Sequence, residues 1–302
     1  MKLVIEIIIF LLLAYTAFFY IRTEIFIKKL KKRKSNNKEN NKQIIIAIPA
    51  LKEQNCIYDT VKYFKEIAKD IPIVLITTQK EIKENINNEK TTQDIIKEKI
   101  IDQYENIYWI DYPYEKGYMT NQLNYMLNNL NKIFNKQIDL KNTYLALYNA
   151  DSRPSKQTFE EIKQNLKDVN KVIQQYSYCM ENYDKLPYIL KGFAIYQSNF
   201  EIRTGLINTF FKSNLLYTHV VGHGLVIELE TLKKLGNFNT TFWCEDIYLG
   251  LQLKFNNIEI TPLLTLENME TPNALRKLIK QNSVWFKTTS QFLKIYKDIL
   301  KK

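Results

Sequence analysis

Cysteine and histidine are scarce in this chain, and that scarcity removes several kinds of chemistry at once. The three cysteines, Cys56, Cys179 and Cys244, stand far apart and without a CxxC spacing. Neither a disulfide framework nor a zinc site is indicated, and a reducing compartment fits. The two histidines, His219 and His223, are too few for a histidine-based metal site and have no obvious serine or cysteine nucleophile to serve. No nucleic-acid reading motif is present, nor are Lys and Arg interleaved with aromatics on one face, so no nucleic-acid partner is expected. No internal repeat is visible. What the chain does have is apolar content, 45% of 302 residues, enough for one full-sized core.

Its formal charge of +11 is unevenly placed, because residues 1–42 hold ten Lys/Arg against three Glu. This basic patch flanks an apolar run. Residues 3–21 (LVIEIIIFLLLAYTAFFYI) carry one charge, Glu6, and as a helix would be about 28 Å long, close to the hydrocarbon thickness of a bilayer. Lys2 alone precedes the run, whereas Arg22, Lys28, Lys29, Lys31, Lys32, Arg33 and Lys34 follow it. The positive-inside rule then places the rest of the chain in the cytoplasm, as a single-pass membrane protein. A cleaved signal peptide would have a shorter apolar run and a small-residue cleavage site, and neither is seen. The expected division is an anchor at 1–23, a basic polar linker at 24–43, a main domain at 44–268 and basic amphipathic helices at 269–302.

From Ile44 onward, short apolar runs alternate with helical patterns. Residues 44–49 (IIIAIP) read as a strand buried on both faces, and 71–77 and 107–111 as the second and third strands. Ile57, Val61, Phe64 and Ala68, and then Leu123, Met126, Leu127 and Leu130, recur at helical spacing between them. Residues 79–99 are expected to hold a loop and one helix, and 172–178 a strand. Such alternation argues for a mostly parallel sheet with helices on both faces.

The chemistry concentrates at the end of the fourth strand. Tyr144-Leu-Ala-Leu-Tyr runs straight into Asn149-Ala150-Asp151 and then a Ser/Pro helix-start signal. A carboxylate at that tip faces the crevice where open α/β sheets bind ligands, and its oxygens suit Mg²⁺ or Mn²⁺. Shaping a strand-to-helix turn is the plainer role for the same residue. Glu245 and Asp246 precede Ile247, Leu249, Leu251 and Leu253, which places them at a helix N-terminus, where negative charge is favoured for structural reasons as well. His223, between Gly222 and Gly224, either lines an acceptor pocket or is simply hydrogen-bonded in place. The tail from 271 to 302 has eight Lys/Arg against one Asp, beginning from a Thr271-Pro272 helix-start signal. It reads equally as an interfacial helix on an anionic membrane and as an amphipathic helix packed on the core.

Taken in order, several pieces resemble family-2 glycosyltransferases of the GT-A (Rossmann-like) fold, such as the catalytic domains of cellulose and hyaluronan synthase-like enzymes. They are Ile48-Pro49-Ala50-Leu51-Lys52-Glu53, Lys116-Gly117 with Asn124-Tyr125, Asn149 to Pro154, Gly222 to Val226, Gly236-Asn237-Phe238, Glu245-Asp246, and Gln281 to Trp285. The resemblance implies a nucleotide-sugar donor, a divalent cation, Mg²⁺ or Mn²⁺, and inversion by direct displacement. Asp151 matches the metal-holding aspartate, with Asn149 in the place of the family's first one. Asp246 matches the general base on the acceptor hydroxyl. Pro49, Ala50 and Glu53 match the loop bordering the nucleoside, and Lys116 the basic residue reaching the nucleotide. Glu245, His223, Gln281 and Trp285 fall on the acceptor side. Where many relatives carry two aspartates for the nucleobase, this chain has Ile76-Thr77-Thr78-Gln79, and the acceptor-motif arginine is Val284. Only 17 residues follow Trp285, so a polymer-extruding synthase is not expected. The expectation is a metal-dependent transferase, membrane-anchored, acting on a lipid-linked or saccharide acceptor at the cytoplasmic face. The alternative is a decayed GT-A domain serving as a membrane-tethered assembly partner.

Overall fold

In the computed structural model the chain divides into two compact units, Met1–Lys38 and Glu39–Lys302. The residues described are 2–31, 41–85, 89–166, 170–213 and 220–301. The first unit is one helix, α1 (Lys2–Lys31). Its most apolar 18-residue window has a mean hydropathy of 2.4, and the Lys2–Lys29 stretch is long and apolar enough to cross a bilayer. The helix continues past Ile21 into the span expected as linker, because Arg, Glu and Lys are good helix formers once a helix is nucleated. Residues 32–40 of the expected linker lie outside the described residues, as do 217–219 of the stretch leading to His223.

The second unit begins with β1 (Gln43–Pro49), α2 (Ile57–Ala68), β2 (Ile73–Thr78), α3 (Gln79–Lys83), α4 (Thr92–Lys99) and β3 (Ile107–Tyr112). It continues through α5 (Met119–Asn128), α6 (Leu130–Ile133), β4 (Thr143–Leu147), β5 (Arg153–Pro154), α7 (Thr158–Leu166), β6 (Val172–Gln174) and β7 (Ser177–Tyr178). Helix α8 (Tyr188–Phe200) runs into a π-helical stretch, Glu201–Ile207, and α9 (Asn208–Phe210). The unit closes with β8 (Leu225–Glu228), α10 (Leu229–Lys234), α11 (Glu245–Phe255), β9 (Ile260–Pro262), β10 (Glu267–Asn268) and α12 (Leu275–Ile299).

Seven strands form the main sheet in the order β3-β2-β1-β4-β8-β6-β9. β1 is parallel to β2 and β4, β2 is parallel to β3, and β6 is parallel to β9. β8 alone runs against its neighbours β4 and β6. The chain leaves β1 toward β2 on one side and builds outward from β4 on the other, so the loops after β1 and β4 open at a topological switch point. A small sheet, β5-β10-β7, lies just beyond β4, with Glu267 opposite both Pro154 and Ser177.

Strand β1 shows why its sequence is apolar throughout. Ile44, Ile46 and Ile48 belong to a cluster with Phe64 and Ile96 of α2 and α4 and with Phe159 of α7. Ile45 and Ala47 belong to another, with Leu123 and Met126 of α5 and Leu249 of α11. Alternate residues face opposite sides, and helices cover both. Truncating a fully buried residue such as Ile46 to Ala is expected to cost roughly 2–5 kcal/mol.

Three local expectations are revised. Residues 79–99 contain two helices; Thr78 caps α3 by accepting from Lys80 N–H, and Thr91 closes a capping box on α4. The 172–178 stretch is split between the two sheets, because Gln174 and Gln175 turn their amides into buried hydrogen bonds at the handover. Thr271 starts no helix: it is buried, exchanges two backbone bonds with the Asn182 amide and donates its hydroxyl to Cys179 O at 3.1 Å, and α12 begins at Leu275.

Candidate active site

The parallel strands β1 and β4 end side by side. Beyond β4 the chain makes a tight turn, in which Asn149 N–H donates to Ser152 Oγ at 2.9 Å and Ser152 N–H donates back to Asn149 O at 3.2 Å. Asp151 is left exposed at its apex. The turn is fastened to α2: Thr60 donates its hydroxyl to Ala150 O, and Arg153 Nη1 donates to Thr60 Oγ1 at 2.9 Å and Ser152 O at 2.8 Å. The Arg153 guanidinium lies over the Tyr63 ring, 5.6 Å from its centre.

Across from it, the loop after β1 is held by a carboxylate inside the fold. Glu81, 3% exposed, accepts from Lys52 N–H at 3.0 Å and from Thr92 N–H and Oγ1 at 2.7 and 2.9 Å. Thr92 Oγ1 in turn accepts from Glu53 N–H at 2.8 Å, and Ala50 N–H donates to Ile76 O at 2.8 Å. Pro49, Ala50 and Glu53 are thereby fixed beside the Asp151 turn. Burial raises the Glu53 pKa, and the negative charges of Asp151 and Glu81 push the same way. The Cys56 thiol donates to Glu53 at 3.1 Å and is pushed up to about 12, chiefly by burial and then by that carboxylate. It is therefore no nucleophile at neutral pH.

On the other side of β4 lies the Gly222-His223-Gly224 loop. Gly224 N–H donates to Leu147 O at 2.7 Å, Gln175 N–H donates to Gly224 O at 2.8 Å, and Gly224 has φ 65°. A Cβ there would stand 2.7 Å from Gln175 O, so only glycine fits. His223 is buried, with Nδ1 2.8 Å from Glu267 Oε2. Burial works against a charged imidazole, yet the Glu267 carboxylate and its hydrogen bond, with Glu201 and Asp151 further off, lift the His223 pKa above its ordinary value.

The neighbour of His223 leads to α11. Glu245 Oε1 would lie 3.4 Å from a Cβ on Gly222, and Leu147, Gly222, Phe238, Glu245 and Asp246 line one small cleft. Burial and the adjacent Asp246 raise Glu245 to about 7. Asp246 Oδ1 accepts from Ile247 N–H at 2.7 Å at the start of the helix. Asn124 of α5 pins the 236–238 turn, donating to Phe238 O at 2.8 Å and accepting from Phe238 N–H at 3.1 Å. Two separate sequence motifs are thus one contact.

Other expected residues take different places. Lys116 is exposed on the loop after β3, next to Tyr118, whose ring meets Trp243 at 5.3 Å. Trp243 N–H donates to Gln291 Oε1 at 3.2 Å, and Lys287 lies over its ring at 5.1 Å. Gln281 and Trp285 are earlier on α12, and no hydrogen bond or ring contact with a described residue joins them to the Asp151–Asp246 edge. Besides Glu81, two further carboxylates were not singled out in the sequence. Asp111, at the end of β3, accepts from Thr77 at 2.7 Å, Gln93 at 2.6 Å and Gln79, while Trp109 donates to Thr77 at 2.9 Å. It occupies the ground beside Thr77-Thr78-Gln79, and its signal was the same as that of Asp151, an acid ending an apolar strand. Glu267 had no such signal.

No group of three or more His, Cys, Asp or Glu side chains is gathered among the described residues. Glu53 and Asp151 are close enough for each carboxylate's charge to act on the other, and carboxylate oxygens are the donors that a hard cation such as Mg²⁺ or Mn²⁺ takes.

No protein-family model matches the chain, and no curated protein sequence matches it. Solved structures do. Glucosyl-3-phosphoglycerate synthase from Mycobacterium tuberculosis, in complex with Mn²⁺, uridine-diphosphate and glucosyl-3-phosphoglycerate, is similar with a TM-score of 0.50 at 12% identity, over 84% of this chain and 80% of that one. The fold is GT-A-like. A 4-diphosphocytidyl-2C-methyl-D-erythritol synthase from Anaerococcus prevotii DSM 20548 also matches, with a TM-score of 0.43 at 14% identity, over 80% of this chain and 96% of that one.

Proposed function

We propose that the chain is an inverting glycosyltransferase of the family-2 kind, moving a sugar from a nucleotide-sugar to a lipid-linked or saccharide acceptor at the cytoplasmic face of a membrane. The observation that carries this is the edge itself: Asp151 and the Glu245-Asp246 pair flank the 222–224 loop at the C-terminal end of β4, in a GT-A-like fold. In this reading the acceptor hydroxyl attacks the anomeric carbon as the bond to the diphosphate oxygen breaks. Asp246 takes the acceptor proton, and the diphosphate leaves with the bonding electrons. Asp151, with Glu53 and Asn149, would hold Mg²⁺ or Mn²⁺, which neutralises charge on the diphosphate. Lys116 adds a cation on the leaving-group side. Pro49 and Ala50 border the nucleoside, and the Asp111–Gln79–Thr77 network stands where base recognition would occur. Glu245 faces the acceptor, His223 is held in place behind it by Glu267, and Gln281 and Trp285 lie farther out along α12.

Support for a sugar donor comes from the mycobacterial enzyme, whose structures contain uridine-diphosphate, uridine-diphosphate-glucose and Mn²⁺. Support for the membrane is the length and hydropathy of α1. The deciding experiment is calorimetry and donor hydrolysis across a panel of nucleotide-sugars, with and without Mn²⁺. One donor is expected to bind in a metal-dependent way and to turn over slowly to free sugar. Absence of metal-dependent binding to every donor would overturn the proposal.

A further inference from the structure

Helix α8 turns a side to solvent that carries no charge. Tyr188, Ile189, Ile195 and Tyr196 are 91, 74, 50 and 65% exposed, with Gly192 between them and Asn199 after them, while Leu190, Ala194 and Ser198 face inward. A soluble domain rarely presents a contiguous apolar face of this kind without a use for it. The inward side packs Leu186, Leu190 and Ala194 against Leu278, so α12 adjoins α8.

Helix α12 has its own outward row. Leu275, Ile279, Phe286, Leu293 and Leu300 are 55 to 72% exposed, and spacings of four and then seven place them on one side of the helix. Leu278, Ile295 and Ile299 are buried on another side. Each outward residue is followed at once by a cation: Arg276, Lys280, Lys287, Lys294 and Lys301. A second row, wholly basic, therefore runs beside the apolar one. The acid of this helix, Asp298, is turned inward and accepts from the Tyr248 hydroxyl at 2.7 Å.

We propose that the outer sides of α8 and α12 are a docking surface for an anionic phospholipid bilayer. Tyr188, Ile189, Tyr196 and Phe286 would enter the headgroup region, and the basic row would meet lipid phosphates. Charge favours this occupant over a second copy, because a self-complementary contact would set the cations of one row against those of the other. The inference rests on the proposed anchoring of the chain at a bilayer by α1 and is independent of the transferase reading.

The test uses the full chain with vesicles of phosphatidylcholine, with or without phosphatidylglycerol. A fluorophore at Tyr196→Cys or Phe286→Cys, with Gln103→Cys between α4 and β3 as the reference, reports quenching by brominated acyl chains. The unsubstituted protein treated with the same label supplies the blank. Quenching at 196 and 286 is expected to exceed that at 103 by about threefold or more in anionic vesicles and to weaken in neutral ones, as electrostatic attraction to the leaflet requires. Lys280→Glu with Lys294→Glu is expected to remove that difference while the protein still floats with the vesicles. Equal quenching at the three positions in floating protein would overturn the docking surface alone. So would protection of 196 and 286 that grows with protein concentration without lipid quenching, which marks a second copy. Failure to float would overturn anchoring and docking together, and donor binding, measured separately, is untouched by any of these results.

Discussion

The two acidic stations at the sheet edge are built in opposite ways. Asp151 stands exposed on a turn whose rigidity comes from neutral and cationic hydrogen-bonding groups behind it: Ser152, Thr60 and Arg153. Glu245 and Asp246 are partly buried side by side, and burial first, then the neighbouring Asp246 charge, lifts Glu245 to about 7. A station of the first kind can meet a charge arriving from solvent with little reorganisation. The second kind keeps the Glu245 carboxyl near neutrality, where taking up and releasing a proton is easiest. The difference is in keeping with the proposed division, charge binding on one side and proton transfer on the other.

Substitution at each station is expected to fail in its own way, and the largest effect lies at the proton-transfer side. Asp246→Asn is expected to lower kcat by about 10²–10⁴-fold, the range for loss of a general base, with donor affinity unchanged. Steady-state kinetics with calorimetry separates the two; a matching loss of donor affinity would break the comparison. Asp151→Ala is expected to do the converse, weakening metal-dependent donor binding by about 100-fold, by analogy with losses seen on disturbing metal sites. Because the side chain is exposed, thermal stability should move little.

A third change tests the element between them. Gly224→Ala forces a Cβ to within 2.7 Å of Gln175 O at φ 65°. A loss of about 2 kcal/mol in chemical denaturation is expected from such strain. The loop must then shift, which should impair both stations together and distinguish this variant from either carboxylate change.

What was legible in the sequence follows the same division. β1, β2 and β4 were legible because each is buried on both sides, so their residues are apolar except for Gln43 and threonines at the strand ends. Asp151 was legible from where the β4 pattern stops, and Asp246 from where the helical pattern of α11 begins. The supports behind them were not. Glu81 is a buried carboxylate in a stretch that reads as polar loop, and its burial depends on three donors from Lys52 and Thr92 that only folding brings near. Glu267 meets His223 across 44 positions, through a two-residue strand too short to have a period. The handover at Gln175 joins two sheets through side-chain amides, which no backbone pattern announces. Local periodicity encodes layers, whereas long-range polar pairings that place a site leave no periodic trace.

The smallest expected effect sharpens the contrast most directly. Glu245 has a folded pKa of about 7, against about 4.3 for an unperturbed glutamate. The folded chain therefore holds more of this proton than the unfolded chain between those values. Its contribution to stability falls as pH rises through that window and is flat above it. Glu245→Gln removes the titration and keeps the shape, so the variant should gain on the parent as pH rises from about 4.5 to 7, and the gain should vanish below. Solvent screening on the open side of the group keeps this to on the order of 2 kcal/mol or less. Denaturation curves at pH 4.5, 6 and 8 measure it. Asp151→Asn, examined the same way, should stay within about 0.5 kcal/mol of the parent, as an exposed substitution does. A pH-dependent gain of equal size at Asp151 would show that the two stations are not differently built.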